Sequence, residues 1–128
     1  MDNLTWEKFD SACLQLAETI KAELELLRYD MFENIYGIPR GGLVVAIKLS
    51  HLLDIPLTFK PTRFKTLVVD DICDSGKTLL KYREYATACV YKADNSVSEP
   101  TWWIHKKNEF VKFPWETEKT AKVDYEEK

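Results

Sequence analysis

Three carboxylates and four hydroxyl, glycine or lysine residues stand close together in the run Leu67-Val68-Val69-Asp70-Asp71-Ile72-Cys73-Asp74-Ser75-Gly76-Lys77-Thr78. The chemistry of this run divides into two halves. Ser75 and Thr78 carry hydroxyl donors, Lys77 carries a cation, and Gly76 lets a ligand approach the backbone closely. Where such a loop opens a helix, the free N–H groups of the first turn and the helix dipole make an anion site, and a phosphate fits it. Asp70 and Asp71 would repel a phosphate chain; vicinal sugar hydroxyls, or a divalent cation accompanying pyrophosphate, suit them instead. A sugar phosphate answers both halves. The same residues could also cap a helix and fill a turn, a role that acids and serines at a strand end often take. Gly76-Lys77-Thr78 ends like a Walker A loop, but that loop needs a glycine five positions before its second glycine, where Asp71 stands. The run therefore fails as a nucleoside triphosphate loop.

A loop with this task must be held between a strand and a helix. Residues 66–69 (TLVV) read as a central strand, 70–75 as the loop, 76–86 as a helix and 87–91 (TACVY) as the next strand. A polar loop, 93–100 (ADNSVSEP), leads to a further strand at 101–105 (TWWIH). Upstream, residues 5–28 read as a helix with Thr5 as N-cap and Glu7 in its first turn. Its apolar stripe is Trp6, Phe9, Cys13, Leu16, Ile20, Leu24 and Leu27. Residues 34–38 (NIYGI) read as a buried strand, interrupted by Pro39-Arg40-Gly41-Gly42, and 43–53 as a second helix ended before Pro56. A short strand at 57–59 and a basic turn at 60–65 (KPTRFK) complete the series. Strand and helix in alternation predict an α/β fold with a mostly parallel central sheet flanked by helices. Ligands of such sheets bind beyond the carboxyl ends of the strands, so loops 39–42 and 71–76 should share one edge.

The chain has 128 residues, the length of a single domain. It is 45% hydrophobic and 30% charged with net charge −3, a globular balance without a basic run, which argues against nucleic acid and against a membrane surface as partners. Cys13, Cys73 and Cys89 share no CxxC spacing, and His51 and His105 are far apart, so neither a disulfide framework nor a zinc site is expected. The start MDNLTWEKFD does not read as a signal peptide, and no apolar run approaches about 20 residues, so the expected compartment is the cytoplasm with its thiols reduced. Residues 1–116 are expected to form the domain and 117–128 a charged tail that is mobile or loosely docked.

The run from Leu67 to Thr78 resembles the phosphoribosyl pyrophosphate signature of the type I phosphoribosyltransferases: an apolar strand, two acids, a few variable residues, then a small-residue loop. Ile38-Pro39-Arg40-Gly41-Gly42-Leu43-Val44 is similar to the family's pyrophosphate loop. Leu4-Thr5-Trp6 and Phe110-Val111-Lys112-Phe113-Pro114-Trp115 look most like the bacterial xanthine-guanine branch. The resemblance implies a single-domain phosphoribosyltransferase fold. It also implies a salvage reaction in which a free 6-oxopurine replaces the pyrophosphate of phosphoribosyl pyrophosphate, yielding a nucleoside 5′-monophosphate. By the matched positions, Asp70 and Asp71 would hold the ribose hydroxyls directly or through Mg²⁺, and Asp74 would lie near the purine N7 as general acid/base. Ser75, Gly76, Lys77 and Thr78 would cradle the 5′-phosphate; Arg40, Gly41 and Gly42 would contact pyrophosphate. Lys92 would read the purine's exocyclic oxygen, Phe110 would stack on its face and Val111 would offer backbone groups to its edge. The family's pyrophosphate loop often has a cis or strained peptide before the matched residue, here Pro39–Arg40.

Trp102 and Trp103 are not explained by the resemblance. One of them must face away from the core and is expected to be a subunit contact in a homodimer or homotetramer. The chain departs from the family between Phe59 and Thr66, where a long lid usually closes over the site; only Lys60-Pro61-Thr62-Arg63-Phe64-Lys65 is present. Lys60, Arg63 and Lys65 could stand in for part of the lid's charge. The missing lid keeps a second reading open: a non-catalytic protein that senses or sequesters phosphoribosyl pyrophosphate or a purine nucleotide.

Overall fold

A computed structural model describes residues 1–121. Residues 122–128 of the expected tail lie outside the described residues. Along the chain run β1 (Asp2–Asn3), α1 (Trp6–Leu27), β2 (Asn34–Gly37), α2 (Gly41–Leu53), β3 (Thr66–Cys73), α3 (Lys77–Leu80), β4 (Ala86–Lys92), β5 (Trp102–Lys106) and β6 (Val111–Lys112). The main sheet has the order β2-β3-β4-β5 and is parallel throughout. All eight residues of β3 are buried, as expected of a central strand covered on both faces. A small second sheet pairs β1 with β6, which ties the start of the chain to its end. Periodicity gives no sign of strands this short.

α1 and α2 cover one face, and their buried residues form one cluster with Ile35, Leu67, Val69, Ile72 and Val90 of the sheet. α3 lies on the other face, where Leu79 packs with Ile38, Val68, Cys73 and Cys89. α1 starts as the sequence predicts: the Thr5 hydroxyl accepts the Lys8 N–H at 3.2 Å. Its apolar stripe holds in the middle, where Ala12 and Ala17 join the buried face, and fails at the two ends, where Trp6 and Leu27 are half exposed. Phe113 and Trp115 stack at 5.0 Å, and Trp115 meets Phe9 of α1 edge-on at 5.1 Å, so the C-terminal segment docks on the first helix through its aromatics. Past it, the Thr117 and Thr120 side chains and backbone N–H groups bond one another, and Ala121 is buried.

Four elements differ from the sequence expectation. α2 starts at Gly41, two residues early, so both glycines belong to its first turn. The expected strand at 57–59 is a single bridge, Leu57 to Ile35, because Thr58 immediately turns the chain by bonding the Lys60 N–H. β3 runs on through both aspartates to Cys73 instead of ending at Val69. Each carboxylate accepts the next N–H, Asp71 to Asp70 and Ile72 to Asp71, both at 2.9 Å, while Ile72 and Cys73 anchor the strand in opposite faces. The expected helix at 76–86 is one turn, α3, followed by i→i+3 turns through Tyr85. The crossover must return along β3, roughly 20 Å for its seven-residue rise. The looser rise of 3₁₀-type turns covers that length with fewer residues than an α-helix.

Candidate functional site

β3, β4 and β5 end side by side, with Cys73, Lys92 and Lys106 in register. The next residues of each strand therefore form one rim. Asp74 leaves β3 at this rim, and Lys107 leaves β5; the Lys107 ammonium reaches across the end of β4 to Asp74 Oδ1 at 2.8 Å. The Lys107 N–H also donates to the Lys92 carbonyl at 2.8 Å, fixing that lysine's backbone. Lys107 was not singled out from the sequence. The signal was present, since a lysine pair follows a strand predicted to end at the ligand edge, but the partner could be named only once the strand order was known.

The Ser75–Thr78 segment is built on the same rim. Ser75 Oγ accepts the Lys77 N–H at 3.2 Å. Gly76 has φ 86, and a Cβ there would lie 2.7 Å from the Ser98 nitrogen, so the position requires glycine on both counts. The loop 93–100, read from sequence only as a polar connection, is the buttress: Val97 N–H donates to the Ser75 carbonyl at 2.8 Å and the Ser98 hydroxyl to the Gly76 carbonyl at 2.7 Å. The Cys73 thiol lies 3.7 Å from the Ser98 hydroxyl, and burial pushes its pKa up, which keeps it protonated and unreactive beside the loop. The short α3 changes the electrostatics. A single turn has little macrodipole, so any attraction for an anion here would come from individual N–H, hydroxyl and ammonium groups.

The longer helix, α2, aims its start at the same edge. Its N-cap, Arg40, makes no side-chain capping bond, and the first-turn N–H groups of Gly41 and Gly42 stand at the positive end of a 13-residue helix. The preceding Pro39–Arg40 peptide is cis. A Cβ on Gly42 would lie 2.7 Å from the Val69 carbonyl and 3.3 Å from Asp70 Oδ1, which places this turn directly against the aspartates. Asp70 and Asp71 are wholly buried at that junction.

The expected purine side is only partly assembled. Lys92 is at the rim with its ammonium 3.2 Å from Glu99, 3.2 Å from the Ala93 carbonyl and 5.7 Å from the centre of the Trp103 ring. Phe110 lines a cleft of about 110 Å³ with Met1, Glu118 and Ala121, and Val111 is a buried residue of β6 whose flanking carbonyls, Phe110 and Lys112, accept N–H groups of Asp2 and Leu4. Arg40 is exposed and lines a separate cleft with Trp115, Glu116 and Thr120. Arg63 and Lys65 are not at the rim. Arg63 pairs with Glu84 at 3.1 Å and Lys65 with Glu33 at 3.9 Å, while Tyr85 holds the Pro61 carbonyl, all at the amino ends of β2, β3 and β4. The expectation that Arg63 and Lys65 stand in for the lid's charge is therefore overturned, because both are paired at the opposite edge. A cleft of about 710 Å³ also lies at that opposite edge, against Ala86, Thr101 and Trp102.

The chain superposes on a purine phosphoribosyltransferase from Pyrococcus horikoshii with TM-score 0.77 and 27% identity, over 91% of this chain and 93% of that one. The fold is that of the type I phosphoribosyltransferases. A xanthine-guanine-hypoxanthine phosphoribosyltransferase from Helicobacter pylori matches with TM-score 0.74 and 19% identity, over 96% and 98%. A Neisseria gonorrhoeae protein with bound ppGpp shares the phosphoribosyltransferase fold at TM-score 0.65 and 17% identity, over 97% and 94%. No protein-family model matches the sequence, and no curated protein does. No helix among the described residues is long and apolar enough to cross a membrane.

Proposed function

We propose that the chain is a 6-oxopurine phosphoribosyltransferase. The observation that carries this reading is the junction of two loops on adjacent strands: the uncapped start of α2 at Gly41 and Gly42 lies against Asp70, and Asp74 to Thr78 continue from the same strand. Diphosphate meets the α2 N–H groups and Arg40, the 5′-phosphate meets Ser75, Gly76, Lys77 and Thr78, and the ribose hydroxyls meet Asp70 and Asp71. Because both aspartates are buried, sugar binding and uncovering of this edge are coupled events. No group of three or more metal-ligating side chains exists among the described residues. Two carboxylates fit Mg²⁺ nonetheless, since that ion favours few protein ligands and completes its shell with water and phosphate oxygens. When bound, it would neutralise charge developing on the leaving pyrophosphate.

The C1–oxygen bond to pyrophosphate breaks as the bond from C1 to a purine nitrogen forms, through an oxocarbenium-like transition state. Asp74 takes the proton that the base gives up, held in place by Lys107. Lys92 reads the exocyclic oxygen from the same rim after releasing Glu99, with Phe110 and Val111 on the purine side and Trp103 beside the ammonium. A second reading, nucleotide sensing or sequestration, is favoured by one observation: the 60–65 loop stands at the far edge and covers nothing at the rim. The similar protein with bound ppGpp shows that the fold can hold a purine nucleotide.

The test is incubation with phosphoribosyl pyrophosphate, Mg²⁺ and each of guanine, xanthine, hypoxanthine and adenine, with nucleotide and pyrophosphate followed by chromatography. Nucleotide should form from a 6-oxopurine, and Asp74→Asn should lower turnover about 10²- to 10⁴-fold with binding retained. Tight nucleotide binding with no turnover on any base would overturn the enzyme reading in favour of the sensor.

A further inference from the structure

The joint between the small sheet and the main one carries a bond that the site chemistry does not use. β1 and β6 are two residues each, paired as Asp2 with Val111 and Asn3 with Lys112. A ladder this short does not hold its place unaided in water. Within it, Asp2 N–H donates to the Phe110 carbonyl at 2.8 Å and Leu4 N–H to the Lys112 carbonyl at 2.9 Å. Those carbonyls flank Val111 on both sides, so β1 and the stretch Phe110–Val111 are held as one piece.

A side-chain bond ties that piece to the main sheet. The Tyr91 hydroxyl donates to Asp2 Oδ2 at 3.1 Å, between residues 89 apart in the chain. Tyr91 is buried, its ring 5.3 Å from His105 and edge-on to Phe113 at 6.0 Å. Burial, then the Asp2 carboxylate, push the phenol up to about 12, so at neutral pH the hydroxyl keeps its proton and donates. The Tyr91 backbone sits in register between Ile72 of β3 and His105 of β5, and Lys92 follows it directly. One bond therefore links the centre of the sheet, a residue before Lys92, to the piece that bears Phe110 and Val111.

We infer that Asp2 and Tyr91 are positioning residues for the base, their bond setting Phe110 and Val111 relative to Lys92. The inference rests on the phosphoribosyl site proposed above and adds to it two residues that touch neither sugar nor phosphate. Lys92 belongs to the main sheet and Phe110 and Val111 to the small ladder, so a purine read by all three needs the two bodies in fixed register. The sugar phosphate needs no such register. Asp70, Asp71 and the Ser75–Thr78 segment all continue from β3, and Val97 and Ser98 brace that segment. A hydrogen bond to a carboxylate, beside a buried ring, is of the strong kind that can hold such a joint. Loosening it should fall on the base and spare the sugar phosphate.

Calorimetric titration of the full chain with guanosine 5′-monophosphate and with ribose 5-phosphate separates the two. Asp2→Ala and Tyr91→Phe should each weaken the nucleotide roughly 5- to 20-fold and leave ribose 5-phosphate within about twofold, as for coupled positions at the low end of the usual range. Asp2→Asn keeps an oxygen that accepts the phenol and should recover most of the loss. In the Tyr91→Phe background, Asp2→Ala should add little. A merely structural pair would lower both affinities together with Tm. Equal losses for the two ligands, or nucleotide affinity untouched in both variants, would overturn the inference and leave the site reading standing. A wild type that binds neither ligand would overturn the site reading and the inference with it.

Discussion

Removal of the Lys107 side chain is the sharpest probe of the rim. Its ammonium lies 2.8 Å from Asp74 Oδ1, with side chains only 19% and 23% exposed. A charge-assisted bond with this much shielding contributes about 1.5–3 kcal/mol, more than a surface pair. Asp74 would carry the proton in the transfer step, so Lys107 acts through it as a positioning residue. Lys107→Ala should therefore lower kcat about 10- to 100-fold while KM for phosphoribosyl pyrophosphate changes little, because the phosphate loop is tied by Val97 and Ser98 and not by this pair. Lys107→Arg keeps the charge and should recover most of the loss. The decisive assay is the double-mutant cycle on turnover: in an Asp74→Asn background, Lys107→Ala should cost almost nothing more. Full turnover in Lys107→Ala, or losses that simply add in the double variant, would refute the argument that Lys107 works through Asp74.

Two further outcomes follow from the geometry. Gly76→Ala places a methyl group against the Ser98 backbone in a left-handed conformation, and should cost about 2 kcal/mol of stability. Tm should then fall roughly 6–10 °C, with weaker phosphate binding, by calorimetry and titration. Burial, and then the Asp2 carboxylate that accepts its hydroxyl, push Tyr91 up to about 12 from the ordinary 10.0. A phenol raised in the folded state stabilises the fold in full below its unfolded value and loses that contribution as pH climbs through the folded one. Stability should therefore fall between pH 10 and about 12, and less steeply in Tyr91→Phe, measured by urea unfolding at stepped pH.

What was legible in the sequence is what local chemistry dictates. Thr5 announced the start of α1, the apolar run Thr66–Val69 announced the central strand, and the alternation of strand and helix announced the parallel sheet. The aspartates, Ser75, Gly76 and the paired glycines Gly41 and Gly42 were singled out by their order along the chain, acids and then small or hydroxyl residues directly after apolar runs. What stayed hidden depends on register. That Asp70 and Asp71 are strand residues follows from carboxylates that take up their neighbours' N–H groups, a local competition that propensity does not anticipate. That Lys107 meets Asp74 and Ser98 meets Gly76 follows from strand order, since each pair is separated by more than twenty residues. The one-turn α3 follows from the distance the crossover must span, a constraint visible only when β3 and β4 are placed side by side.

The short 60–65 loop is the point at which fold and chemistry pull apart. In a transfer reaction through an oxocarbenium-like state, water at the rim competes with the base for C1, and a closing lid normally removes that competitor. Here the loop is bonded to Thr66, Asn34 and Tyr85 at the opposite edge, and moving it to the rim would break each of those bonds without giving it the length to cover the site. In the proposed reaction, protection of C1 would then come from the rim itself, where the bound base displaces water. A site of this kind should engage the sugar diphosphate productively only after the base has bound, so the order of binding, more than the residues present, separates a transferase from a protein that holds its nucleotide and does nothing further.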